Sequence, residues 1–439
     1  MSRTAAAVRL AVIGAGWAGL AAAVRATEAG HRVTLIEMAA HAGGRARGVD
    51  HGGLVLDNGQ HILIGAYRET LALMRTVGVE PEVALDRRPL ALRDPQGRGL
   101  ALPPGQPVPA FVRAVLALRD WPLRERASLL RAALRWRLGG FSAPGEQTVA
   151  ALARSLPARA RRELIEPLCV AALNTPADAA SAQVFLRVLR DALFSGPGAA
   201  DLLLPRVSLS ELLPEPALRW LGARGTELRL ATRAGRLERA GAAWRVDGDE
   251  FDAVVLACSA AEAARLAAAH APEWSRAVAA FGYEPIVTVY LRSAGTRWAQ
   301  PMVALDATPT HPAQFAFDLG ALDAEGRRAD LFAFVISGAR AWVDRGLDAA
   351  GSAVLEQARH AFPHSTWAQP PTVQRTLAER RATFLCVPGL SRPPAWLAPG
   401  LAAAGDYVEG PYPATLEGAV RSAATALGCL GLRTAAQQQ

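Results

Sequence analysis

Three glycines and one glutamate near the start of the chain are spaced to hold a phosphate and a ribose. Gly14, Gly16 and Gly19 follow the apolar run Leu10-Ala11-Val12-Ile13, and Glu37 closes a second run, Val33-Thr34-Leu35-Ile36. Each residue type has a physical task in that order. Gly14 permits a tight turn, Gly16 lets backbone N–H groups approach a pyrophosphate, and Gly19 allows a helix to pack closely on the first strand. Trp17 and Ala18 open that helix, whose unsatisfied N–H groups and positive dipole end favour an anion without a cationic side chain. Glu37 is placed to accept from both adenosine ribose hydroxyls, and its charge repels a 2′-phosphate, which argues against NADP.

A glycine fingerprint alone does not separate NAD from FAD, and two further clusters favour FAD. Gly43-Gly44-Arg45 follows Glu37 closely; its glycines keep the backbone open while Arg45 offers a guanidinium fork to the pyrophosphate. Near the other end, Asp406 follows Gly405 and precedes a helix expected from Ala414 to Leu427. The aspartate can accept from ribityl hydroxyls. N–H groups around Gly418, Ala419 and Val420 can point at the flavin pyrimidine end, where negative charge collects on reduction.

Elements far apart in the chain must bring these groups together. The first strand–turn–helix–strand unit is followed by a short strand, Val55-Leu56-Asp57, entering a loop that runs from Asn58 to Tyr67. From about Pro103 to Gly145, and again from Leu152 to Leu193, the patterning is helical and rich in Leu, Trp and Arg. Strand patterns return at Leu228-Arg229-Leu230, at Trp244-Arg245-Val246, and in one buried run from Phe251 to Ala257. Further strands are expected at Ile286 to Leu291, at Leu331 to Ile336 and at Leu401 to Asp406, with a helix from Ala349 to Ala361. Nucleotide-type segments thus occur at the start, middle and end. The fold expected is α/β, with a Rossmann-like domain of the glutathione-reductase type built from residues 1–85, 218–270 and 395–435. A discontinuous α+β substrate domain then takes 86–217 and 271–394.

Composition narrows the class. A chain of 439 residues with 51% hydrophobic and 20% charged residues is globular and long enough for two joined domains. No apolar run is long enough for a membrane span, and the first apolar run is the nucleotide-binding strand and not a leader. Cys169, Cys258, Cys386 and Cys429 are widely spaced, a pattern of structural thiols in a reducing cytoplasm with neither a metal site nor a disulfide framework. The formal charge is +8 and the chain contains no lysine, so arginine supplies all the basic charge. No nucleic-acid signature accompanies that charge, and an anionic membrane surface is the expected partner. Segments Pro109 to Trp121 and Leu129 to Leu138 combine apolar, Trp and Arg residues at helical spacing. They can lie in a bilayer interface on the inner face of the cytoplasmic membrane, or pack on their own domain.

The C-terminal run Ala404-Gly405-Asp406-Tyr407 with Thr415-Leu416-Glu417-Gly418-Ala419-Val420 and Ser422 resembles the FAD motif of phytoene and ζ-carotene desaturases. Gly14 to Gly19, Glu37 and Gly43-Gly44-Arg45 match the N-terminal motif of the same amine-oxidase-like flavoproteins. More narrowly, Asp57-Asn58-Gly59-Gln60-His61-Ile62-Leu63-Ile64-Gly65-Ala66-Tyr67 is similar to the hydroxysqualene dehydroxylases of squalene and hopanoid biosynthesis. The resemblance implies reductive removal of a hydroxyl from a long apolar isoprenoid, with an external electron donor. It places Gly59, Gln60, His61, Glu417, Gly418 and Ala419 beside FAD. A carotenoid-type desaturase or isomerase shares the same motifs, and a non-catalytic FAD-bound partner of a membrane isoprenoid-enzyme assembly is the reading of another class. His61 either gives a proton to the departing hydroxyl or only hydrogen-bonds backbone or cofactor. Tyr67 and Tyr412 either line the flavin face and the path of a cation or pack ordinarily. The missing lysine removes the water-holding lysine of amine oxidases.

Overall fold

The computed structural model describes residues 7–323 and 325–432, so the expected cofactor-domain boundaries at 1 and 435 lie outside the described residues. The first apolar run forms the strand Arg9–Ile13 at the centre of a six-stranded sheet, and the second forms Arg32–Ile36 beside it. The sheet order is Glu227–Arg229, Arg32–Ile36, Arg9–Ile13, Ala253–Leu256, Leu401–Ala403 and Trp396–Ala398. Its first five strands are parallel, with Val12 opposite both Leu35 and Val255, and the last is antiparallel. Parallel strands covered on both faces read as continuous apolar runs, which is why Leu10, Val12, Leu35, Val254 and Val255 are all fully buried.

The helix Trp17–Glu28 crosses from the first strand to the second. Its Ala-rich sequence gives high helix propensity and small side chains, so it is buried between the sheet and the helix Leu416–Cys429. That closing helix begins two residues later than expected, because Thr415 supplies the N-cap, accepting from the Gly418 N–H at 3.0 Å. The strand leading to it stops at Ala403. The expected single strand from Phe251 to Ala257 is two: Asp249–Phe251 belongs to a three-stranded meander and Ala253–Leu256 to the parallel sheet. Asp252 between them turns the chain by accepting from the Arg9 N–H at 2.7 Å.

A second, antiparallel sheet has the order Met302–Ala304, Phe315–Asp318, Leu331–Ile336, Tyr283–Arg292, Thr372–Phe384. The helix Leu347–Ala361 packs on it. The remaining insert is helical: Pro107–Leu116, Leu123–Leu138, Glu166–Leu173 and Ala182–Leu193 are its longer members. The expected run from Leu152 to Leu193 is broken by a wide turn at Arg161–Ile165 and by Asn174, whose left-handed backbone (φ 46°) ends the helix before it.

Candidate functional site

The C-terminal edge of the parallel sheet, where ligands bind in open α/β folds, opens into one cavity of about 650 Å³ that reaches the helical insert. The three glycines of the first turn have different surroundings there. Gly14 has φ +107°, its N–H donates to the Ile36 carbonyl at 2.7 Å, and a Cβ on it would stand 2.6 Å from the Ala257 carbonyl oxygen. A Cβ on Gly19 would land on the Gly14 carbonyl, whereas one on Gly16 would meet no atom within 4 Å. Two glycines are therefore required by packing and one opens on the cavity.

The second glycine cluster is laced to this turn. Gly43 N–H donates to the Ala15 carbonyl at 2.8 Å, and a Cβ on Gly44 would lie 3.3 Å from the Gly16 Cα. Trp17 Nε1 donates to the Ala46 carbonyl at 2.9 Å, fixing the helix start against the same loop. Glu37 reaches the cavity wall with its carboxylate already oriented, accepting from the Ala15 N–H at 2.7 Å and the Ala39 N–H at 2.8 Å. A carboxylate has about four lone-pair sites, so acceptor capacity remains on both oxygens.

Arg45 and Asp406, expected to serve opposite parts of a dinucleotide, face each other directly. Arg45 Nη2 lies 2.6 Å from Asp406 Oδ1, and Nη1 donates to the Ala382 carbonyl at 2.8 Å. Gly405 is held by its N–H donating to Ser422 Oγ at 2.8 Å.

Two of the contacts expected from the closing helix fall away from the cavity. Glu417 is fully buried beneath the helix, accepting from the Thr70 N–H and hydroxyl at 2.9 and 2.8 Å and from Arg421 Nε at 2.7 Å. Its carboxylate ties the closing helix to the helix Arg68–Thr76. Gly418 is absent from the cavity wall, and the N–H groups of Gly418 and Ala419 are taken up by Thr415 at 3.0 Å each. Ala419 does touch the cavity. Gly19 also lies behind the wall, as its packing role requires.

The loop from Asn58 meets the cavity at its middle. Asn58 Nδ2 donates to Glu379 Oε2 at 2.8 Å, and Gly59, Gln60 and His61 line the wall. His61 Nδ1 sits 2.7 Å from the Gly59 carbonyl, so Nδ1 carries the hydrogen and Nε2 is left facing out of that contact. Burial lowers the His61 pKa below its ordinary 6.5, the nearby Arg45 charge adds to this, and the Gly59 carbonyl opposes it. The imidazole is therefore mostly neutral at pH 7, with Nε2 an acceptor. Gln60 Oε1 and Thr288 Oγ1 are buried without a protein partner. Tyr67 and Tyr412 meet edge to face at 6.0 Å on the same wall, and Arg421 lies over the Tyr412 ring.

Beyond this loop the wall becomes apolar. Phe111, Leu129, Trp136, Phe185, Leu189 and Phe317 are representative, drawn from three helices and the antiparallel sheet. Ser337 and Thr383 bring polar groups to it, and so does Asn174. Its Nδ2 donates to the Glu284 carbonyl and to Thr383 Oγ1, both at 3.0 Å, while its Oδ1 accepts from the Gly338 N–H. Sequence reasoning missed Asn58, Asn174 and Tyr407 as wall residues. For Asn174 a signal existed: an asparagine directly after an apolar helical run and before Thr175-Pro176 is a helix stop.

The family model described as flavin containing amine oxidoreductase matches residues 17–426. A hydroxysqualene dehydroxylase of Rhodopseudomonas palustris is 30% identical over 440 residues, covering 94% of this chain and 95% of that protein. A ζ-carotene desaturase of Synechocystis is 38% identical over only 79 residues, 18% of this chain and 16% of its own. Among solved structures, cyclohexylamine oxidase of Brevibacterium oxydans superposes with a TM-score of 0.67 at 16% identity, over 97% of this chain and 99% of its own.

Proposed function

The chain belongs to the flavin-containing amine oxidoreductases and is an FAD-dependent oxidoreductase, and on that footing we propose that it removes the hydroxyl of hydroxysqualene to give squalene, in squalene and hopanoid biosynthesis. The observation that carries this reading is the continuity of one cavity from a dinucleotide cradle to an apolar chamber. A C30 hydrocarbon chain needs such a chamber, since each buried CH₂ is worth about 0.8 kcal/mol. The residues fit FAD: the space over Gly16 lies at a helix N-terminus, where a diphosphate is favoured, and Glu37 retains acceptor capacity for ribose hydroxyls. When bound and reduced, FAD supplies a hydride.

The balance is simple. One hydride and one proton convert a C–OH bond into C–H and release water. An allylic hydroxyl leaves readily only when protonated or hydrogen-bonded, and the chamber must exclude water that would recapture the cation. In this reading the minor, doubly protonated form of His61 gives its Nε2 proton to the departing oxygen, while Gln60 and Gly59 hold the loop against the cofactor. Tyr67 and Tyr412 close the cofactor end. Gly14, Gly16, Trp17, Ala18, Gly43, Gly44, Arg45, Gly405, Asp406 and Ala419 form the cradle. The division into a cofactor unit of 1–85, 218–270 and 395–435 and a substrate unit of 86–217 and 271–394 belongs to the same proposal. So does work at an anionic membrane surface, where such an alcohol dissolves.

Anaerobic incubation of the FAD-loaded protein with a flavin reductant and hydroxysqualene tests the reading by product analysis. Squalene formed in proportion to flavin reoxidised is the expected result. No squalene from FAD-replete protein would overturn it, and hydride removal from a polyene by the oxidised protein would favour the desaturase.

A further inference from the structure

The arginine- and tryptophan-bearing helices singled out in the sequence are not used by the cofactor cradle, and their two faces differ. Trp121 is buried, donating from Nε1 to Glu163 at 3.0 Å, and Trp136 lines the cavity with Leu129 and Ala133. The tryptophans therefore point inward. What faces outward on the helix Leu123–Leu138 is a leucine stripe: Leu123, Leu134 and Leu138 are 74%, 55% and 79% exposed, and Leu116 on the preceding helix is 51% exposed. Of the nine large apolar side chains exposed among the described residues, four lie in this short segment. Their concentration in one segment departs from the scattered exposure ordinary for a surface.

At 100° per residue, Leu123, Ala127, Leu134 and Leu138 share one stripe, Leu130 lies at its edge and packs on the core, and Leu129, Ala133 and Trp136 face the interior. Arg124, Arg131 and Arg135 border the stripe on one side and Arg126 and Arg137 on the other, while Glu125 is the helix's sole acid. An apolar stripe between two cationic rims matches an interfacial helix on anionic lipid. A second copy is a poor occupant, because a two-fold contact would bring five arginines against five. At 16 residues the helix lies flat, and no helix of the described residues is long and apolar enough to cross a bilayer.

We propose that this outer face docks on an anionic bilayer and that the docked helix is the wall across which the apolar substrate is loaded from lipid into the cavity. The docking stands on the helix alone; the loading rests on the isoprenoid reading given above. The test uses the FAD-loaded full chain, its Leu134→Gln/Leu138→Gln variant, and vesicles of phosphatidylcholine with or without phosphatidylglycerol. Flotation with phosphatidylglycerol vesicles is expected for the parent and reduced at least tenfold in the variant, with unchanged thermal stability and FAD content. Turnover of hydroxysqualene carried in those vesicles is expected to fall at least tenfold, and turnover of the same alcohol in detergent micelles to stay the same. Equal flotation of parent and variant would overturn the docking, as would a variant that merely converts a dimer to monomer. Equal turnover from vesicles would overturn the loading. If the parent turns over nothing in micelles, the activity assignment has failed, and flotation still decides the docking.

Discussion

Adding one methyl group at Gly16 or at Gly19 should separate cofactor binding from folding. Gly16 has φ −71° and ψ 178°, an extended conformation open to alanine, and its Cβ would meet no atom within 4 Å. Gly16→Ala should therefore leave the apoprotein within about 0.5 kcal/mol of the parent, or up to about 1 kcal/mol more stable through the unfolded chain. The methyl would occupy the space where a diphosphate approaches the helix start. Loss of one hydrogen bond to a charged group costs about 1.5–3 kcal/mol, so FAD affinity should fall roughly 10- to 100-fold. Gly19→Ala differs in kind. Its Cβ would overlap the Gly14 carbonyl and sit 3.2 Å from the Ala257 Cβ, so the helix must move off the strand. Overpacking of this sort costs about 1–3 kcal/mol or more, and it should appear in the apoprotein itself. Urea denaturation of both apoproteins, with FAD titration followed by flavin fluorescence, reads the two quantities separately. Unchanged FAD affinity in Gly16→Ala, or an affinity loss matched by equal loss of apoprotein stability, would refute the assignment of Gly16 to the diphosphate.

Three other outcomes follow from buried ionisable groups. Burial raises the Asp57 carboxyl from 3.8 to about 6, against the Leu209 N–H and Arg328, which lower it. The folded state thus prefers the protonated form, and stability should fall by about 3 kcal/mol as pH rises from about 4 to about 6, then level off. Asp57→Asn should remove that slope in denaturation curves, and a slope that survives would show that another group causes it. His61→Gln should slow single-turnover flavin reoxidation by hydroxysqualene about 10²- to 10⁴-fold. In the parent that rate should decline as pH rises through a midpoint below 6.5, as a depressed imidazole pKa requires; an unchanged rate in FAD-replete His61→Gln would leave the residue a hydrogen-bonding role only. Glu417→Ala should cost about 2–4 kcal/mol in thermal or urea melts, because it strands the Thr70 N–H and Arg421. Flavin fluorescence should find its FAD affinity nearly unchanged at a temperature where it stays folded, and a large affinity loss there would restore the carboxylate to the cofactor site.

Legibility followed the range of the interaction. The turn at Gly14 to Gly19 could be read because each glycine's task is set by neighbours within one strand and one helix. Val33 to Ile36 and Leu331 to Ile336 were legible as strands because both are buried on two faces. Pairs that close only in space were not. Arg45 and Asp406 are 361 residues apart, and nothing local distinguishes a guanidinium that meets a phosphate from one that meets an aspartate. Glu417 sits within a recognisable FAD motif, yet its side chain points to the opposite side of the helix, where Thr70 receives it. Trp121 and Trp136 have the composition of an interfacial helix but face inward, because helical spacing defines two faces and not which of them is buried.

The segment from Asp57 to Tyr67 shows how specificity depends on those long-range closures. Asp57 Oδ1 accepts from the Leu209 N–H at 2.8 Å, and its carbonyl accepts from the fully buried Tyr290 hydroxyl at 2.7 Å. At the other end Gly65 N–H donates to the Asp201 carbonyl at 2.9 Å, and a Cβ there would overlap the Gly198 carbonyl. Both ends are thus fixed by chain from the antiparallel sheet and the helical insert, and the middle crosses the boundary between the cradle and the apolar chamber. At that boundary Gln60 Oε1, an acceptor without a protein donor, accompanies the unshared nitrogen of His61 on the cavity wall. In a chamber otherwise lined mostly by apolar side chains, a hydroxyl on a long hydrocarbon finds hydrogen-bond partners at this boundary, and low local polarity strengthens each bond made there. On the proposed reading, the position of the reacting carbon relative to the flavin is set by where its oxygen can be satisfied; the apolar walls, which grip every CH₂ alike, supply affinity without register.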